Sequence, residues 1–175
     1  MTGTSPILSP NFTVQELFGT VAPNPGQRYL GERLCRDLLE PIRSVIGQPL
    51  RITDGLRTWA RWLDLEDRGY NPSRDSDHSF LLDWNPHGVG AADIVRLVRV
   101  ASGRTVARAF TERQFQLIVD RLAGPSPIDP PWGQLIWYRK KGHIHVSNRR
   151  SVWYASEALA ALGLRVQRRT YIQEG

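Results

Sequence analysis

The chain has 175 residues, 41% of them hydrophobic, with a formal net charge of +6 and a sequence pI of about 10.1. That length buries a core in one domain without staples, and the single cysteine, Cys35, excludes an internal disulfide. No apolar run approaches the roughly 20 residues that span a bilayer, and the first thirty lack a basic start followed by an apolar stretch. The expectation is therefore a protein made and left in the cytoplasm unless an assembly carries it out, with no membrane partner.

Residues 1–11 are polar and read as an extended arm, ahead of a domain over 12–163 and a polar tail over 164–175. Thr13-Val14-Gln15-Glu16 matches a capping box, so Phe12 to Phe18 predicts a short helix closed by Gly19. After the turn residues Pro23 to Gly26, the residues Leu30, Leu34, Leu38, Ile42 and Val45 recur at a helical period over Tyr29 to Ile46. Cys35 belongs to that pattern as a small core thiol, and Pro41, lacking a backbone donor, predicts a kink or break.

Leu50 to Thr53 reads as a strand, and Asp54-Gly55 as a turn delivering Leu56-Arg57-Thr58. Trp59 to Arg68 suits a helix with Trp62, Leu63 and Leu65 as candidate buried residues, and Gly69 to Asp77 is a loop. Ala91 to Val98, with its β-branched residues, predicts a central strand. Thr111-Glu112-Arg113-Gln114 is a second capping box, opening a helix that carries Phe115, Ile118, Val119 and Leu122 on one face. Gln134 to Tyr138 and His143 to Ser147 predict a hairpin around the basic turn Arg139 to Gly142, and Ser156 to Leu162 a terminal helix. The fold class expected is α+β, a small central antiparallel sheet with helices packed against it.

Alternate residues of a strand share a face, so His143 and His145 stand together while Ile144 points inward. Asp93 begins an apolar strand after Gly90-Ala91-Ala92, where a carboxylate calls for a cation. His78 follows Ser76-Asp77, and His87, beside Pro86 and Gly88, competes with it as a third donor. Two imidazoles and a carboxylate form a donor set that holds a catalytic metal with a position open; the plainer alternative is a pair of surface histidines on a hairpin. A non-haem iron oxygenase also uses such a set, but with first ligands two residues apart and many more strands than this chain offers. The charge admits a polyanionic partner. Yet Arg139 to Lys141, Arg149-Arg150 and Arg165 to Arg169 read as solvated faces, and no helix-turn-helix, zinc finger or aromatic-basic stripe marks a specific nucleic-acid binder.

At Ser76-Asp77-His78, Gly90-Ala91-Ala92-Asp93 and His143-Ile144-His145-Val146-Ser147 the chain resembles the zinc D-alanyl-D-alanine carboxypeptidase and murein endopeptidase family, whose fold is shared with hedgehog signalling domains. Ile52-Thr53-Asp54-Gly55-Leu56-Arg57-Thr58 is similar to the family's segment ending in a substrate-contacting arginine, and Phe12 to Leu17 to its amino-terminal helix. The resemblance runs from about residue 12 to 148. It implies a zinc ion held by His78, Asp93 and His145, with Arg57 stabilising an oxyanion or binding a substrate carboxylate and His143 assisting by hydrogen bond or proton relay. It implies peptidoglycan stem peptides as substrate, and a setting such as a phage lysin, a tail, or a baseplate or injection-type particle whose proteins would be partners.

Two departures stand out. His78 and Asp93 are fifteen positions apart (93 minus 78), where the family motif has seven, so the residues around Leu82 to Gly88 must loop out and are expected to cover part of the cleft. A loop of that size costs little in closure entropy. Relatives also place an acidic general base near the metal, whereas Trp137 and Tyr138 followed by Arg139, Lys140, Lys141 and Gly142 stand here. Asp77, Asp83 or His143 must then substitute; otherwise the chain is a degenerate structural or wall-binding subunit.

Overall fold

The arm folds back on itself: in a computed structural model, which describes residues 6–123, 131–149 and 169–173, β1 (Ile7–Ser9) pairs antiparallel with β2 (Phe12–Thr13). Thr13 then caps α1 (Val14–Phe18), its side chain and that of Glu16 exchanging the two bonds of the expected capping box. The next helix starts earlier than its apolar period suggests. Asn24 caps α2 (Pro25–Leu34) in a reciprocal pair with Gln27, and Pro25 occupies the first turn, where its missing N–H is no loss.

Pro41 does not break the run. The turn before it widens into a π-helical segment, Cys35–Leu39, in which the amide of Glu40 bonds the carbonyl of Cys35, and α3 (Glu40–Ile46) continues to the left-handed Gly47. The extra residue in that turn makes room where proline can neither donate nor approach the preceding carbonyl closely. Leu34, Cys35, Leu38, Leu39 and Ile42 are fully buried along this helix. Burial, with the nearby Glu40, Glu16 and Glu32 adding to it, pushes the Cys35 thiol far above its usual range; it is a core residue, not a nucleophile.

The helices cover one face of a sheet built from β3 (Leu50–Asp54), β4 (Ala91–Arg99), β5 (Thr105–Arg108), β6 (Trp132–Tyr138) and β7 (His143–Asn148). The order is β3-β4-β7-β6, with β5 extending β4, and every pairing among these strands is antiparallel. An α+β fold with helices against a central sheet is what the sequence predicts. A further strand, β8 (Arg169–Gln173), joins β6 in parallel, so the sheet is mixed and residues expected as tail contribute to it. Ala92, Ile94, Ile144, Val146 and Leu135 face the helices with essentially no exposure; each large side chain so buried contributes about 1.5–3 kcal/mol. The opposite face is left for Asp93, His143, His145, Gln134, Ile136 and Tyr138.

Two helices complete the structure, α4 (Trp59–Asp67), capped by Thr58, and α5 (Glu112–Ala123), capped through Thr111 and Gln114. In α4 Trp62 is buried as expected, whereas Leu63 is exposed. The predicted helix over 156–162 lies outside the described residues. No helix among the described residues is long and apolar enough to cross a membrane.

Candidate metal centre

Asp93 and His145 face each other directly across the β4–β7 ladder, so strand register alone places a carboxylate beside an imidazole. The third donor comes from a loop. Ser76 caps a short 3-10 turn, Asp77–Ser79, and its hydroxyl accepts from the amide of His78. The ring of His78 is then oriented by its Nδ1, which donates to the carbonyl oxygen of Gly55 at 2.7 Å. Gly55 is required there: a Cβ would fall 2.1 Å from the carbonyl oxygen of Leu17, which accepts from the amide of Leu56. Helix α1, the end of β3 and the His78 turn are thereby locked together by backbone.

Because a carbonyl can only accept, His78 carries its proton on Nδ1, and a neutral ring presents a lone pair at Nε2. That atom lies 3.2 Å from Nδ1 of His145 and 3.5 Å from Oδ1 of Asp93, and the same Oδ1 is 2.9 Å from Nδ1 of His145. At most one proton, on His145, is then available between two acceptors. Zinc bound tetrahedrally at about 2.0–2.1 Å separates its ligand atoms by about 3.3 Å, and the three spacings here bracket that value. The donor set and its spacing therefore fit a metal ion, with the Gly55 carbonyl as the outer partner that fixes the His78 tautomer. The outer nitrogen of His145, Nε2, is buried without a hydrogen-bond partner among the described residues.

Burial opposes a charge on Asp93 and is the largest influence on it. A proton shared onto the facing imidazoles, His78 first and then His145, supplies the opposing field and hydrogen bonds that outweigh burial and hold the carboxyl well below its usual range. His143 stands at the edge of the set, its Nε2 3.7 Å from Oδ2 of Asp93 and its ring against Tyr138. Burial, reinforced by Lys141, His145 and His78 against the pull of Asp93, lowers its pKa. It is a neutral base near pH 7.

The three donors and His143 open into a cleft of about 720 Å³ whose far wall is Arg57 at the foot of α4, the helix itself and the loop after it, including Arg61, Arg68 and Tyr70. The buried Trp62 ties that loop down by donating its indole N–H to Pro72 and Ser73. Arg57 lines the cleft as expected, but its guanidinium is engaged by Asp54 at 2.5 Å and by the Ser76 hydroxyl at 3.3 Å. Its amide also donates to the carbonyl of His78. His87 is not among the converging donors. Of the proposed acidic substitutes, Asp77 is buried and lines the cleft, whereas Asp83 is exposed and outside it. Ile136 stands opposite His145 and Tyr138 opposite His143 on β6, so that strand brings no acid to the centre.

The long spacer between His78 and Asp93 does not cover the cleft, contrary to expectation: none of residues 79–92 lines it. It folds back as a compact loop in which Ser79 donates to Asn85 O, Asn85 donates to Ser76 O, and the amide of Gly90 donates to Asp77 O. Phe80 and Leu81 take left-handed backbone angles, φ 47° and 63°, so that Phe80 turns fully inward onto Phe18. Gly88 lies so close that a Cβ would meet Ser79 Oγ at 1.8 Å and Ser76 O at 2.8 Å. The extra residues buttress the ligand turn from behind.

Comparison with models of protein families, with curated proteins and with solved structures gives no match for this chain.

Proposed function

We propose that this chain is a zinc-dependent peptidase domain with a hedgehog-type architecture, acting on peptidoglycan stem peptides. One observation carries the metal assignment: three lone-pair donors, His78 Nε2, Asp93 Oδ1 and His145 Nδ1, converge at 2.9–3.5 Å with the remaining nitrogen of His78 committed to Gly55. The substrate class and a phage lysin, tail or baseplate setting are supported by the sequence resemblance around residues 52–58, 76–78, 90–93 and 143–147. A zinc ion bound there supplies Lewis acidity and lowers the pKa of a water to about 7. His143, neutral and 3.7 Å from Asp93, accepts a proton at Nε2 and returns it to the leaving amine. The cleft admits a peptide, and Arg57, held by Asp54, presents a fixed donor edge to a carbonyl oxygen.

A second reading, wall binding without turnover, is favoured by the strand neighbours Ile136 and Tyr138, which put no carboxylate beside the histidines. Elemental analysis of the purified chain, followed on the same sample by murein digestion and mass spectrometry, separates the two. About one zinc per chain with new amino termini in the stem peptide supports the peptidase. One zinc with intact murein supports binding alone, and absence of metal overturns both.

A further inference from the structure

The cations lining the cleft are not equivalent. Arg57 is paired with Asp54 at 2.5 Å, Arg61 with Asp64 at 2.6 Å, and Arg68 with Asp64 at 3.6 Å. Lys141 has no acidic partner among the described residues. Its ammonium instead lies between two aromatic faces, 5.4 Å from the ring centre of Tyr70 and 5.5 Å from that of Tyr138. Tyr70 follows α4 and Tyr138 ends β6, so the two rings reach Lys141 from opposite walls of the cleft. Two π-faces restrain a lysine head group without neutralising it, leaving a positioned, uncompensated charge. The hairpin turn that carries Lys141 also brings it close enough to lower the pKa of His143.

Resting on the peptidase reading, we propose that Lys141 is the specificity-determining cation of this cleft, accepting a carboxylate of the bound peptide while the peptide's carbonyl lies toward His78, Asp93 and His145. A single ammonium on a flexible stem suits a monoanion, and Arg57 cannot supply this charge because Asp54 already balances it. The carboxylate has two sources in a short peptide, its own terminus or an acidic side chain.

The test uses the zinc-loaded full chain and calorimetric titration with three blocked tripeptides: one with a free terminal carboxylate, one with that terminus amidated, and one amidated at the terminus but carrying a glutamate side chain. The expected result is roughly tenfold tighter binding of one carboxylate peptide than of the fully amidated one, the preferred peptide naming the source. Lys141→Met abolishes that preference with zinc content and affinity for the amidated peptide unchanged, and Lys141→Arg retains it. A preference that survives in Lys141→Met, or its absence from the wild-type chain, including failure to bind any of the three, overturns the proposal. Because the readout is binding, it stands apart from the peptidase reading, which fails instead if zinc is absent or if bound peptide is never cut.

Discussion

Asp54 and Asp93 are partners in register across the β3–β4 ladder, yet they belong to opposite kinds of region. On the α4 side the charges that line the cleft wall meet opposites: Asp54 holds Arg57, and Asp64 holds Arg61 and Arg68. On the β7 side Asp93 is surrounded by imidazoles that are themselves lone-pair donors, and no arginine or lysine among the described residues pairs with it. A matched pair is complete in itself and contributes modestly where it is solvated. An unmatched, desolvated group of donors has its complement outside the chain. The contrast between adjacent carboxylates, more than the presence of histidines, marks where a cation belongs.

The largest expected effect comes from removing a donor on the unmatched side. His145→Ala loses most of the bound metal in elemental analysis, whereas His87→Ala, outside the converging set, retains about one equivalent; the reverse result would reassign the ligands. Thermal melts read the same contrast. At a thousandfold excess of zinc over its Kd the wild-type chain gains about 4 kcal/mol, and His145→Ala gains almost none of it.

How far this was legible in the sequence differs between the two regions. The ligand side was readable because strand alternation dictates that His143 and His145 share a face, and a carboxylate opening an apolar strand is conspicuous. The orienting role of Gly55 was not, since a backbone carbonyl leaves no trace in residue identity. Nor was the course of the spacer, which depends on two non-glycine residues, Phe80 and Leu81, adopting left-handed angles under tertiary packing. Asp54-x-x-Arg57 did hold a signal, an acid and a base three residues apart around a turn, but its consequence, an arginine already neutralised, emerges only in the folded cleft. Asn24-Pro25 with Gln27 likewise announced the true start of α2, a capping box overshadowed by the apolar period that begins later.

A smaller effect is expected on the matched side. Arg57→Met leaves Asp54 in a partly desolvated turn with Arg61 at 3.8 Å as its remaining counter-charge. Loss of one partner costs more than the pair contributes, because the other charge stays behind. With side chains 11% and 19% exposed, we expect a loss of about 2 kcal/mol in urea unfolding. Asp54→Asn combined with Arg57→Met should recover part of that loss. Zinc stoichiometry should be unchanged in both variants; a fall to zero would mean that the two regions are not separable.

The smallest effect belongs to a matched carboxylate far from the cleft and nearer to water. Glu40 accepts from the Ser9 hydroxyl at 2.7 Å and from the amide and side chain of Asn11 at 2.9 and 2.8 Å, pinning the β1–β2 hairpin to α3. Burial works against its ionisation and is the largest influence, but the donors from Ser9 and Asn11, with Arg43 behind them, carry its pKa below its ordinary value of 4.5. A carboxyl depressed in the folded state binds protons more readily when unfolded. Its contribution is therefore fully present above pH 4.5 and is lost as the pH falls through the lower folded value. Glu40→Gln should cost under about 1 kcal/mol at pH 7, given its exposure, and progressively less below pH 4.5. Urea unfolding of both chains at pH 7 and pH 3 checks this: a difference that stays constant between the two would show that shape, not charge, holds the hairpin.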